Sequence, residues 1–235
     1  MTAAAGGIFV VHVRNERDLL EESIQEIFDL GRQTGVAPHI SHLKVMGKEN
    51  WGQAGRILNL FEEARREGLE AAFDQYPYPA GSTMLSILIP AHAHAGGPEA
   101  LLARLRDTQT RAVLSRQMAE GLPGWENIAT AAGWDGILVT GVPEGANKKW
   151  EGQSLANIAL KVAVPPRKWF LIYCWKSVWR FLWSISACIL RMWLPLCSTP
   201  WACWGLTGCW EENPIPGPTA QRPGSYKNLF VKRGF

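Results

Sequence analysis

Four consecutive apolar residues, Ile8-Phe9-Val10-Val11, run directly into His12-Val13-Arg14 and then into a helical stripe, and this succession constrains the fold more than any other feature. A run without polar alternation fits a strand covered on both faces, as in a parallel sheet. The stripe that follows, Leu19, Leu20, Ile24, Ile27, Phe28 and Leu30, has the spacing of one helix face and stops at Gly31 and Gly35. Asp18 is placed to cap that helix, with Glu21 as its capping-box partner. The pattern then repeats, with a strand over Ala37 to Leu43 and a helix from Gly55 to Glu67 that turns Ile57, Leu58, Leu60, Phe61 and Ala64 inward. A further strand ends at Tyr76-Pro77-Tyr78. Such alternation means βαβ crossovers and a parallel sheet, either doubly wound or part of a (β/α)8 barrel. Beyond it, Leu101 to Gly121 reads as helix, Gly136 to Thr140 as strand, and Ser154 to Ala159 as the start of another helix.

Both architectures gather chemistry at the carboxyl ends of their strands, where His12, His42 and Tyr76 fall. Two imidazoles at one barrel mouth could ligate a divalent metal; each could equally be a satisfied, partly buried histidine, and spacing leaves both open. Lys44, two residues after His42, could hold a carboxylate or carbonyl oxygen, or be a surface lysine. Tyr76 and Ser82 flank the turn with Pro77 and Pro79 and could send hydroxyls into the same mouth. His92 and His94 imitate an HxH metal motif but stand in a Gly-rich loop after a proline, so they rank as loop residues.

Several function classes are excluded. No P-loop or dinucleotide fingerprint follows a strand, and nucleic acid is not an expected partner. Cys174, Cys188, Cys197, Cys203 and Cys209 show no paired spacing with histidines, and their odd number argues against a disulfide framework. The start of the chain has no basic segment followed by an apolar one, which makes a cytoplasmic setting the expectation.

Three motifs, taken in order, carry a family resemblance. His12-Val13-Arg14-Asn15-Glu16, then His39-Ile40-Ser41-His42-Leu43-Lys44 with Gly47 and Asn50-Trp51-Gly52, then Asp74-Gln75-Tyr76-Pro77-Tyr78-Pro79-Ala80-Gly81-Ser82-Thr83-Met84-Leu85, resemble the D-aminoacylase (N-acyl-D-amino-acid deacylase) branch of the amidohydrolase superfamily. The resemblance covers about residues 7 to 159. It implies a partial (β/α)8 TIM barrel of α/β class, zinc as cofactor, and hydrolysis of the amide bond of N-acyl-D-amino acids. In such enzymes the metal polarises the scissile carbonyl and activates water. His12 and His42 match the family's two histidine ligands; Lys44, Tyr76 and Ser82 match positions that bind the substrate. The family's amino-terminal HxH strand and cysteine ligand are expected before residue 7, and its general acid/base Asp after residue 160. No Asp occurs in that second stretch, so no catalytic acid/base is assigned and little or no activity is expected. A hydantoinase- or dihydropyrimidinase-like cyclic amidase is the alternative within enzymes, since the same metal chemistry serves it.

Charge divides the chain near Ala159. Residues 1–159 hold 14 Lys plus Arg against 19 Asp plus Glu, whereas residues 160–235 hold 10 against two, with all five cysteines and eight of the twelve tryptophans. A membrane span over Trp169 to Cys197 is disfavoured because Lys176, Arg180 and Arg191 leave apolar stretches far below the roughly 20 residues needed. A non-enzymatic membrane-surface or interaction protein using the basic aromatic tail is the remaining alternative. A frameshift accounts for the bias better. Codons of the form xTG, read one nucleotide late, become TGx and encode Trp or Cys. In the neighbouring frame LKVAVPPRKWFLIYCWK permits ESGRAPAEMVFDLLLE, an ordinary acidic amphipathic helix. GLTGCWEENPIPGPTAQRP permits LDGLLGGKPHPRAYGTAP, which resembles the family's last-strand segment with its Asp. The expected organisation is therefore a central barrel part over 1–159 and a poorly ordered, out-of-frame tail over 160–235.

Overall fold

The computed structural model describes residues 1–76, 80–142 and 145–176 and the backbone of three later strands. The first part runs β1 (Ile8–Val11), α1 (Leu20–Thr34), β2 (Ala37–Ile40), β3 (Val45–Met46), α2 (Ala54–Arg66) and β4 (Ala72–Gln75). β1 pairs in parallel with β2, Val11 beside Ile40, and β2 pairs in parallel with β4, Ile40 beside Phe73. Each of these strands lies next to the one that follows it around the βαβ units. That is barrel order, without the reversal of a doubly wound sheet.

Helices α1 and α2 cover one face of these strands. Their apolar stripes meet Ile40 and Phe73 in a core that holds Ile24, Phe28, Ile57 and Phe61. Phe61 sits edge-on to Phe28 at 5.1 Å and to Phe73 at 4.9 Å between ring centroids, geometry that aromatic quadrupoles favour. Gly35 closes α1 at φ 72°, its N–H donating to Gly31 O, a left-handed cap that costs glycine least.

Local expectations differ from the structure in four places. β2 stops at Ile40, because His42 takes a left-handed turn that ends the ladder. Asp18 does not cap α1: Asn15 Oδ1 accepts from the amides of Arg17 (2.9 Å) and Leu19 (3.1 Å), and Asp18 instead accepts from Asn50 Nδ2. β1 is not covered on both faces. Ile8 and Val10 are 54% and 53% exposed, since the described helices pack on the other side and β1 is an edge of its sheet. The single helix expected over Leu101 to Gly121 is two helices, interrupted at Asp107.

After β4 come β5 (Ala80–Met84), α3 (Gly97–Arg106), α4 (Thr108–Glu120), α5 (Ile128–Ala132), β6 (Ile137–Gly141), α6 (Leu155–Val162) and α7 (Pro166–Lys176). Asp107 ends α3 and caps α4, its Oδ2 accepting from Thr110 N and Oγ1, both at 2.6 Å. A second core joins Leu88, Leu105, Ile137, Val139, Ile158 and Phe170.

The strands of the later chain are β7 (Ser186–Leu190), β8 (Met192–Trp193) and β9 (Ala202–Trp204). β9 extends the parallel sheet beyond β4, β8 pairs with β3, and β7 lies antiparallel between β5 and β6. Of the tail expected to be poorly ordered, residues 160–162 end α6 and residues 166–176 form α7, which buries Phe170, Leu171 and Cys174. Most of the rest lies outside the described residues. Among the described residues no helix is long and apolar enough to cross a membrane.

Candidate metal and substrate site

His12 follows the last residue of β1 and His42 stands in the turn after β2. Because these strands are parallel neighbours in register, both imidazoles leave the same end of the sheet. His12 Nδ1 and His42 Nε2 lie 3.2 Å apart, with ring centroids at 4.8 Å. His42 has φ 43°, one of two non-glycine residues with positive φ among the described residues. Its peptide is gripped on both sides: its N–H donates to Asp74 Oδ1 at 2.6 Å, and its carbonyl accepts from Lys44 Nζ at 3.0 Å.

Buried Glu16, four residues beyond His12, joins this pair. Its Oε1 lies 3.0 Å from His42 Nδ1, 3.5 Å from His12 Nδ1, and closes an ion pair with the Lys44 ammonium. His12, Glu16 and His42 each offer an atom within 4.8 Å of the others, a grouping that could hold a metal ion. Lys44 Nζ also approaches His42 Nδ1 at 3.0 Å and lies 5.7 Å above the Tyr76 ring. An ammonium has three N–H donors, and Glu16 Oε1, His42 Nδ1 and His42 O already meet them. A ligand carboxylate would reach Lys44 only by displacing one of these.

The five residues expected at the site come together. His12, His42, Lys44, Tyr76 and Ser82 line one cavity of about 140 Å³. Ser82 reaches it from β5. His12, Thr83, Ile87 and Glu126 also line a larger cavity alongside, about 650 Å³, whose wall includes Trp125. His92 and His94 occupy a short turn at that second cavity rather than a strand end; His92 Nε2 lies 3.0 Å from Gln117 Oε1.

Burial and charge set the protonation of these groups. Burial is the main force holding the His12 imidazole below its ordinary value; the neighbouring His42 and Lys44 add to this, and Glu16 opposes it. Burial pushes the Glu16 carboxyl up most strongly, but His42, Lys44 and His12 together outweigh it and hold it below the usual carboxylate range. Asp74 behaves alike: burial raises it, while hydrogen bonds from His39, the His42 amide and Ser41 bring it lower. Glu126 goes the other way. Burial lifts its carboxyl to about 7, with the Glu16 charge adding, against the hydrogen bond it accepts from the Glu16 amide at 2.6 Å.

Glu16, Asp74 and Glu126 were not singled out from sequence. Glu16 and Asp74 lie within quoted motifs, and the i, i+4 spacing from His12 to Glu16 was the available signal. Glu126 had none, since 110 residues separate it from the amide it meets.

No protein-family model matches the chain. It is 42% identical over 93 residues to the N-acyl-D-glutamate deacylase of Alcaligenes xylosoxydans xylosoxydans, covering 40% of this chain and 18% of that protein. It is also 42% identical over 83 residues to the D-aminoacylase of the same organism, covering 35% of this chain and 17% of that protein. The chain thus spans less than a fifth of the length of these relatives. Among solved structures it is similar to N-acyl-D-glutamate deacylase from Bordetella bronchiseptica, crystallised with zinc and a phosphonate inhibitor that mimics the tetrahedral intermediate. The TM-score is 0.53 at 24% identity, over 81% of this chain and 29% of that one. A D-aminoacylase described as defining a novel subset of amidohydrolases gives a TM-score of 0.50 at 24% identity, over 80% and 29%. The sequence matches fall on deacylases over about two fifths of this chain, and the structural ones share the fold that brings His12 and His42 together.

Proposed function

We propose that this chain carries part of the metal and substrate site of an amidohydrolase acting on N-acyl-D-amino acids. The observation that carries the reading is the convergence of His12 and His42, from successive parallel strands, with nitrogens 3.2 Å apart. Two ligands about 2.0–2.1 Å from a tetrahedral zinc stand about 3.3–3.4 Å from each other, so the pair fits two corners of such a site. Both rings are partly exposed, with room for further ligands.

His12 and His42 would hold the ion. A divalent metal there supplies Lewis-acid polarisation of an amide carbonyl. Glu16 keeps the nearby Lys44 ammonium neutralised, which lets a cation and a lysine share so small a space. Tyr76 and Ser82 face the same cavity and would orient the amide, and Lys44 would meet the substrate carboxylate after giving up one of its three present acceptors. The neighbouring cavity, with Trp125, Ile87 and Met84 in its wall, has the apolar character an acyl group or apolar side chain needs.

Turnover by this chain alone is expected to be low or absent, because His12 and His42 fill two ligand positions and residues 160–235 contain no Asp to act as general acid/base. The tail itself we assign to a shifted reading frame on its Trp and Cys content. The test is zinc binding by the purified chain, followed by assay of N-acyl-D-amino acids against their L-enantiomers. Zinc uptake lost in His12→Ala and His42→Ala supports the site, and a wild-type chain that takes up no zinc refutes it.

A further inference from the structure

Resting on that metal reading, we infer that Asp74 is a positioning residue for His42, acting through its backbone amide to hold the imidazole where a metal can meet it. His42 at φ 43° occupies a left-handed conformation that a non-glycine residue keeps only where its surroundings enforce it. Asp74 supplies the enforcement. Its Oδ1 accepts from the His42 N–H at 2.6 Å, and its own carbonyl accepts from Leu43 N at 2.9 Å, so β4 grips both peptides that bracket His42. The other oxygen, Oδ2, is held by His39 Nε2 at 3.0 Å and Ser41 Oγ at 3.2 Å, which fixes the carboxylate plane.

The geometry separates this role from that of a ligand. Asp74 reaches the peptide of His42, whereas the imidazole is met by His12, Glu16 and Lys44. With the clamp removed, His42 is free to relax toward negative φ, which swings its side chain away from His12. Outer partners of this kind are typically worth about 10–100-fold in metal affinity.

The clamp needs an acceptor at Oδ1, not a charge, and the test exploits that difference. Zinc and cobalt(II) affinities of the full-length chain are measured by chelator competition, with the cobalt d–d absorption spectrum as report on ligand geometry and urea unfolding of metal-free protein as report on stability. Asp74→Ala is expected to bind about 10–100-fold more weakly with an altered cobalt spectrum. Asp74→Asn, which keeps the acceptor, is expected to stay within about tenfold of wild type with an unchanged spectrum. A fall in stability with wild-type affinity and spectrum in Asp74→Ala would mean a merely structural role and overturns the inference. Should Asp74→Ala fail to fold, Asp74→Asn decides: affinity reduced as far as in His42→Ala overturns it, and retained affinity supports it. A wild-type chain that binds neither ion overturns the metal reading, and this inference with it.

Discussion

His12 Nδ1 and His42 Nε2 stand 3.2 Å apart across 30 residues of sequence, a distance that suits both a shared proton and two corners of a tetrahedral metal site. Two lone pairs cannot face each other that closely without something between them. Removing one imidazole should therefore cost more metal affinity than removing any outer group. His12→Ala and His42→Ala are each expected to lower zinc affinity beyond the roughly 10–100-fold of an outer-partner loss, and calorimetry checks it. Either variant binding as wild type does would place the ion elsewhere.

The Glu16–Lys44 ion pair is buried on both sides, at 4% and 9% side-chain exposure. Breaking one half leaves a charge with little water near it, which costs about 3–5 kcal/mol, whereas removing both partners is often nearly neutral. Glu16→Leu alone should lower the urea midpoint sharply, and Glu16→Leu with Lys44→Met should recover most of the loss. A loss in the double variant equal to the sum of the Glu16→Leu and Lys44→Met losses would show that the pair is not coupled.

Glu126 gives stability a pH dependence of known sign. Its carboxyl rises from an ordinary 4.5 to about 7 in the fold, because burial disfavours the charge. Between those values the folded chain binds more protons than the unfolded one, so stability falls as pH rises through the window. Asp74 and Glu16 are shifted down and act below the ordinary carboxylate range, outside this window, whereas His12, held below its ordinary 6.5, contributes stability that rises with pH within it and opposes Glu126. Urea titrations of metal-free protein between pH 4.5 and 7 should give wild type a more negative slope of stability against pH than Glu126→Gln. An identical slope in both would assign the dependence to other groups.

The parallel order of β1, β2 and β4 was legible because short strand-like runs alternate with helices that each carry one apolar stripe. The strand ends carrying His12 and His42 followed from that. What escaped were contacts made by chain closure. Glu126 meets the Glu16 amide, and Asp74 meets the His42 amide, through backbone positions that no local pattern encodes. The capping error at Asp18 has a local cause: Asn15 lies three residues earlier and its side chain reaches two amides first. Asp107 was readable in principle, since Asp-Thr-Gln-Thr is a cap sequence inside a helical stretch.

Phe61 holds the aromatic centre of the first core, fully buried and edge-on to both Phe28 and Phe73. Phe73 immediately precedes Asp74, so the packing of this ring trio also sets where β4 presents its carboxylate. Phe61→Ala removes the middle ring and should cost about 3–5 kcal/mol, the usual range for a buried phenylalanine. Phe61→Leu, which keeps most of the volume, should cost about 1.5 kcal/mol or less. Chemical denaturation measures both. If the rings organise the site as well as the core, Phe61→Ala will also weaken cobalt binding at urea concentrations where the protein remains folded, while Phe61→Leu will not.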